Sequence, residues 1–339
     1  MFLDLTALLS TSPADSRALR ALLTDATRFD AEYGGGLSNH LPMALTALVR
    51  LGADDERLFQ FAQRYWLRLQ PAAPPEPWSA EQPWRERFGD PQAWPTYRTL
   101  FRQWIAYEGA PQVLAQTLPP LMQGVAAAAF HGAIRVAYAL AAEHADELAD
   151  ALAYWACRWF SCGTPRDGGS EREPARVLAK LDFARELAPQ PLIAQAIAAA
   201  AAHPRFDAAL APLHVNLRTT LPRLAQIAAE RYAAGADFTV LHLVTSAHAV
   251  GVLLPWIDEA QRRPALAFYA RAAAAAWATC KPRDTPLPPL AVLPWSEIVA
   301  RAIASDDDHV IKLVDSCRAH ERASGGAAWA AAASRAVSA

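Results

Sequence analysis

The sequence predicts an all-α protein built as one large multi-helix domain, and three observations carry that prediction. Seventy-seven of the 339 residues are alanine, against 15 glycines, and alanine is the strongest helix former while adding little to a sheet. Apolar segments recur with capping residues at their starts and glycine or proline at their ends. No stretch keeps the apolar–polar alternation of a half-buried strand, so a minor hairpin is the most β structure expected. With 53% apolar and 19% charged residues, the chain can bury a substantial core, which excludes intrinsic disorder.

The first helix is expected from about Ser16 to Phe29. Residues 33–39 then carry Gly34, Gly35 and Gly36 in a flexible loop that ends on Ser38 and Asn39, two good helix caps. Pro42 is tolerated only in the first turn of a helix, so the next helix starts beside His40. It should run to Leu51, with Gly52 as its stop. Residues 71–95 hold seven prolines together with Trp78, Trp84 and Trp94. A linker would be small and polar, so this stretch is expected to pack back on the body as an ordered loop or lid.

Residues from Leu121 to about Phe160 read as nearly continuous helix, in one or two pieces. The segment 162–174, rich in Gly, Arg, Asp and Ser, is the best place for an internal boundary or a mobile stretch. Asp237 suits the cap of a helix over about 238–254, and a second Pro-rich connection is expected at 282–294. Ser305 and the three aspartates after it open another helix, since acidic side chains are favoured in a first turn. The Ala-, Ser- and Gly-rich end, 323–339, is expected to fray.

A net charge of -2 argues against a general nucleic-acid binder, which would carry a basic excess. No dinucleotide or P-loop glycine spacing is present, and no 30–45-residue repeat. Four cysteines, Cys157, Cys162, Cys280 and Cys317, are too sparse for a disulfide framework and lack the paired spacing of a structural zinc site. Asp4 interrupts the first apolar run and no basic region precedes it, which argues against a secretory signal. The longest apolar stretch read as a candidate span, near 125–142, is broken by His131 and Arg135, so no spanning helix is expected. The expectation is a soluble, cytoplasmic protein of a reducing compartment.

The chemistry rests on nine histidines. His131 sits in an apolar helical context beside Gly132, which weakens a helix by ~1 kcal/mol against alanine. A helix-weakening glycine next to a buried imidazole suggests close approach of something bulky, although a core histidine bonded to a backbone carbonyl fits as well. His242 and His248 share one expected helix but stand six positions, about 120°, apart. Both reach one ion only if the helix is kinked or bulged. His309 and Lys312 are three apart and share a face. Lys312 is one of only three lysines among 32 cationic residues. A buried lysine can lose its proton, and the neutral amine can take up carbon dioxide as an anionic carbamate; a solvent-facing lysine is the alternative.

Five collinear segments resemble the questin oxidase-like family: GGGLSNHLPMALTALVRLGA, WRERFGDPQAWPTYRTLF, AFHGAIRVAYA, DFTVLHLVTSAHAV and DDHVIKLV. The resemblance implies an all-helical, oxygen-dependent oxidoreductase that opens polycyclic aromatic rings such as anthraquinones. It carries over His40, His131, His242, His248, His309 and Lys312 as the metal site, with His242, His248 and Lys312 as catalytic candidates. Four histidines would converge from distant helices on a transition metal, with a carboxylated Lys312 as a fifth ligand. Oxygen chemistry favours iron over redox-silent zinc. NADPH enters only as a dissociable donor, for want of a fingerprint. Trp84, Trp94, Phe130 and Phe238 lie in or beside the matched segments and are expected to line a flat apolar cavity for the aromatic substrate. The alternatives are a non-enzymatic helical scaffold that binds a ligand or partner, and zinc-assisted hydrolysis with the same histidines.

Overall fold

The computed structural model describes residues 13–79, 83–281, 287–288 and 290–338. The expectations for the first twelve residues, for positions 282–286 and 289 of the second Pro-rich connection, for 80–82 of the first and for Ala339 lie outside the described residues. Sixteen α-helices and one short hairpin form within them. The helices are α1 Arg17–Ala26, α2 Leu41–Leu51, α3 Asp55–Trp66, α4 Trp94–Glu108, α5 Ala110–Met122, α6 His131–Ala142, α7 Ala145–Cys157 and α8 Pro174–Leu178. They continue with α9 Ile193–Ala201, α10 Phe206–Leu210, α11 Thr220–Gly235, α12 Phe238–Leu253, α13 Glu259–Thr279, α14 Trp295–Ala304, α15 Asp308–Ser324 and α16 Ala327–Val337.

The expected ends at Asp237 and Gly52 are in place, and the helix expected from about Ser16 has Ser16 itself as its cap. Ser16 accepts from the Leu19 amide, Asp237 from those of Thr239 and Val240, and Gly52 closes α2 in the left-handed region. The glycine loop is the hairpin itself. β1 (Glu32–Tyr33) and β2 (Leu37–Ser38) pair antiparallel around Gly34–Gly36, whose φ values of 55°, 85° and 110° suit glycine far better than other residues.

Two expectations are corrected. The run from Leu121 does not stay helical: α5 ends at Met122, and Ala128, Ala129 and Phe130 all take positive φ, at 47°, 56° and 71°. Left-handed backbone in three consecutive L-residues costs roughly 1–2 kcal/mol each, so the surrounding packing must hold it. His131 is therefore the first residue of a helix, not the middle of one. The Ala-rich end does not fray either. It forms α16, which buries Trp329 and packs on α11 and α15.

Gly132 has a packing reason. A Cβ there would meet the Trp155 side chain at 2.6 Å. Gly132→Ala is expected to destabilise by about 1–3 kcal/mol through overpacking, despite the better helix propensity of alanine. Chemical denaturation checks it, and equal or higher stability would refute the tight packing.

α12 is the axis of the core. Val240 to Leu253 are all buried, against α6, α11, α13 and α15. By length and composition, Phe238–Trp256 is apolar enough to cross a membrane, which corrects the choice of 125–142 as the longest apolar stretch. Its strongest window is 83% buried within the protein, as in a core helix. Around α12, the helices α2, α6, α12 and α15 touch in a closed ring: α2 on α6, α6 on α12, α12 on α15 and α15 on α2. One buried ion pair ties this ring to α7, and a second ties α7 to α4. Arg135 of α6 makes a two-point fork on Glu147 of α7, and Arg98 of α4 makes one on Asp150 of α7. Segment 162–174 is held at several points, with Glu171 bridged to Leu213 and the Cys162 carbonyl accepting from Arg271. One apolar core runs on both sides of it.

Candidate metal centre

The four helices of the ring each present a histidine near their N-terminal ends. His40 is the cap residue of α2, His131 the first residue of α6, His242 one turn into α12 and His309 the second residue of α15. Local sequence explains each placement. Asn39 accepts from the Leu41 amide, and the Tyr65 hydroxyl accepts from the His40 amide, so the start of α2 is pinned. The left-handed residues 128–130 aim the Ala128 carbonyl at the ring of His131. Asp237 and Asp307 cap the other two helices through their side chains.

The rings converge. His40 stacks on His131 with centroids 4.5 Å apart, and meets His309 edge-on at 4.6 Å. His242 stands edge-on to His131 at 4.9 Å and to His309 at 5.4 Å. Ligand nitrogens of His40, His131 and His309 lie within 4.8 Å of one another.

Each Nδ1 faces an acceptor. That of His131 bonds to the Ala128 carbonyl at 2.5 Å, and that of His242 to the Phe238 carbonyl at 2.8 Å. Asp308 Oδ1 takes a short hydrogen bond from His40 Nδ1 and lies 2.9 Å from His309 Nδ1. With Nδ1 carrying the proton, every Nε2 keeps its lone pair, the tautomer and orientation that metal-binding histidines show. The Nε2 atoms of His40 and His131 are buried with no hydrogen-bond partner. Facing the other rings, these free lone pairs fit a ligand held between them.

Electrostatics agree. Burial draws the His40 pKa down to about 3 against the pull of Asp308, and holds His131 and His242 well below their ordinary value. All three are neutral at neutral pH, as a metal requires. Burial pushes the Asp308 carboxyl up, but His40, His309 and Lys312 outweigh it and keep it well below the usual range. Lys312, one turn beyond Asp308, is buried with Nζ 3.6 Å from Oδ1. Burial lowers its pKa to about 8.

His248 does not join them. α12 is a regular helix between the two histidines, so the 120° separation stands. His248 instead faces His320, at 5.9 Å, which stacks on Trp329. His144 caps α7, His203 stacks on Phe183 and His214 bonds the Gly169 carbonyl.

A cavity of about 720 Å³ opens on the four rings. Phe238 lines it, touching His242 and His309 at 5.0 and 4.6 Å. Trp84, Trp94 and Phe130 do not. Trp84 packs edge-on against Phe88, Phe101 and Trp104, and Trp94 is buried under the Arg98 guanidinium. Phe130 is fully buried against Tyr269. The aromatic wall is Trp159 and Phe160, just past the end of α7, with Arg158 and Glu32 beside it.

Fold and site together define an all-helical protein with a histidine-rich candidate metal centre at the base of an aromatic-walled cavity. The chain belongs to the questin oxidase-like family, whose model matches residues 37–317. Membership supports an oxidoreductase role of the oxidase type. No curated protein matches the chain.

Proposed function

We propose that this protein is a metal-dependent oxygenase that opens a ring of a flat polycyclic aromatic substrate of the anthraquinone kind. One observation carries the reading: four imidazoles with anchored Nδ1 atoms, two with orphaned Nε2 atoms, face one another where a large apolar cavity ends. His40, His131, His242 and His309 would hold the ion, and Asp308 orients two of them. Iron suits this donor set and an oxidase family, and when bound it supplies the redox chemistry with dioxygen. Phe238, Trp159 and Phe160 offer faces for a planar ring system. The cavity volume falls in the roughly 300–1,000 Å³ range of small-molecule sites. NADPH, if used, comes and goes as a dissociable donor. Four buried free cysteines fit a cytoplasmic setting.

Lys312 completes the reading. Its neutral amine attacks carbon dioxide, one N–H proton leaves, and the carbamate formed is an anionic oxygen ligand beside neutral imidazoles. Asp308 is the competing anion, and Lys312→Arg separates the two. A guanidinium cannot form this carbamate, so metal content should fall sharply; unchanged metal and turnover would remove lysine from the site.

Elemental analysis of protein purified without added metal, with oxygen uptake on hydroxyanthraquinones, tests the function. About one iron per chain and substrate-dependent uptake are expected. Aromatic binding without metal or uptake would favour the scaffold reading, and zinc with hydrolysis the hydrolase reading.

A further inference from the structure

We propose that Arg158 is a specificity-determining residue that reads an anionic oxygen, a carboxylate or an ionised phenol, on the aromatic substrate. The inference rests on the substrate class proposed above and deepens it. Arg158 is the only arginine or lysine among the described residues that line the cavity. Its guanidinium also differs from those of the buried arginines Arg98 and Arg135. Arg98 and Arg135 are nearly inaccessible, at 3% exposure each, and spend two nitrogens in forks on Asp150 and Glu147. Arg158 keeps 35% of its side chain exposed and gives one nitrogen, Nη2, to Glu32 Oε2 in a short end-on contact.

A guanidinium carries five N–H donors in a planar fork. A single end-on bond leaves a second edge that matches an anionic oxygen pair or a phenolate. Glu32 aims that edge, because its own position is set from behind. Its Oε1 accepts from the Tyr154 hydroxyl at 3.0 Å, and that hydroxyl lies 2.6 Å from Ser38 Oγ. Tyr154 and Ser38 are both buried, so the pair cannot swing freely. Burial also pushes the Glu32 carboxyl up despite Arg158.

Elsewhere the cavity offers mainly apolar and aromatic faces, which bind flat rings without fixing their direction. One charged fork placed among them sets which end of an acidic aromatic faces the histidines. A charge-assisted bond of this kind contributes enough for a tenfold or greater preference.

Calorimetric titration of the purified protein, wild type, Arg158→Gln and Arg158→Lys, tests this with three ligands: anthraquinone, an anthraquinone carboxylate and a hydroxyanthraquinone on either side of its phenol pKa. Wild type should bind the anionic forms about tenfold more tightly than the neutral parent. Arg158→Gln should lose that preference and leave the parent within about twofold. Arg158→Lys, which keeps the charge without the planar fork, should retain part of it. A preference confined to the carboxylate, or one appearing only as the phenol ionises, identifies the source of the oxygen and supports the assignment in either case. Equal preference in wild type and Arg158→Gln overturns the Arg158 assignment and leaves the flat-aromatic reading standing. Failure of wild type to bind any of the three overturns both.

Discussion

His131→Ala is expected to empty the centre. Metal per chain should drop from about one to background, and substrate-dependent oxygen uptake should vanish with it. Losing a group that only orients a ligand typically costs 10–100-fold in metal affinity, and removing a ligand itself should cost more. His131 is the sharpest choice because its ring is aimed by local backbone, through the Ala128 carbonyl, so alanine there disturbs no other ligand's hydrogen bonds. His248→Ala is the matched control. It deletes a buried imidazole on the same α12 as His242, but one that faces His320. Metal content should stay at the wild-type level, with any loss confined to thermal stability. Loss of metal in His248→Ala would mean that α12 bends in solution and brings both rings to one ion.

The largest stability effect is expected at the buried pair of Arg135 and Glu147, whose side chains are 3% and 2% exposed. Glu147→Leu leaves a guanidinium that cannot shed its charge. Breaking a buried pair from one side typically costs about 3–5 kcal/mol, and urea denaturation at neutral pH should show a loss of that size. Arg135→Met behaves differently, because a stranded carboxyl can protonate. Burial already pushes the Glu147 pKa above its ordinary 4.5, and removing the guanidinium raises it further. Between the unfolded value and that raised value, the folded state holds a proton that the unfolded state has released. Stability therefore falls as pH rises through this window. Relative to wild type, the cost of Arg135→Met should be smallest in acid and grow as pH rises above about 4.5; a pH-independent cost would show that Glu147 stays ionised in the variant.

Much of the fold was legible because its helix ends are written in side chains that hydrogen-bond their own backbone. Asp237 was readable for that reason, as was Gly52 from its tolerance of positive φ. The candidate site was legible as a set of positions: His40, His131, His242, His309 and Lys312 lie together, and the 120° separation already questioned His248. The rest depended on contacts distant in sequence. Nothing in Ala128, Ala129 and Phe130 announces left-handed backbone, since neither residue type prefers it, and so the start of α6 read as mid-helix. The Ala-rich end looked loose until Trp329 found a place beneath α15. Trp84, Trp94 and Phe130 are as aromatic as Trp159 and Phe160, and which of them face the cavity was set by packing that the sequence does not display.

The four imidazoles are drawn from residue 40 to residue 309 of a 339-residue chain. They come together only when segments far apart in sequence have packed, so any ion they would hold would be bound by the folded body and not by a local stretch of chain.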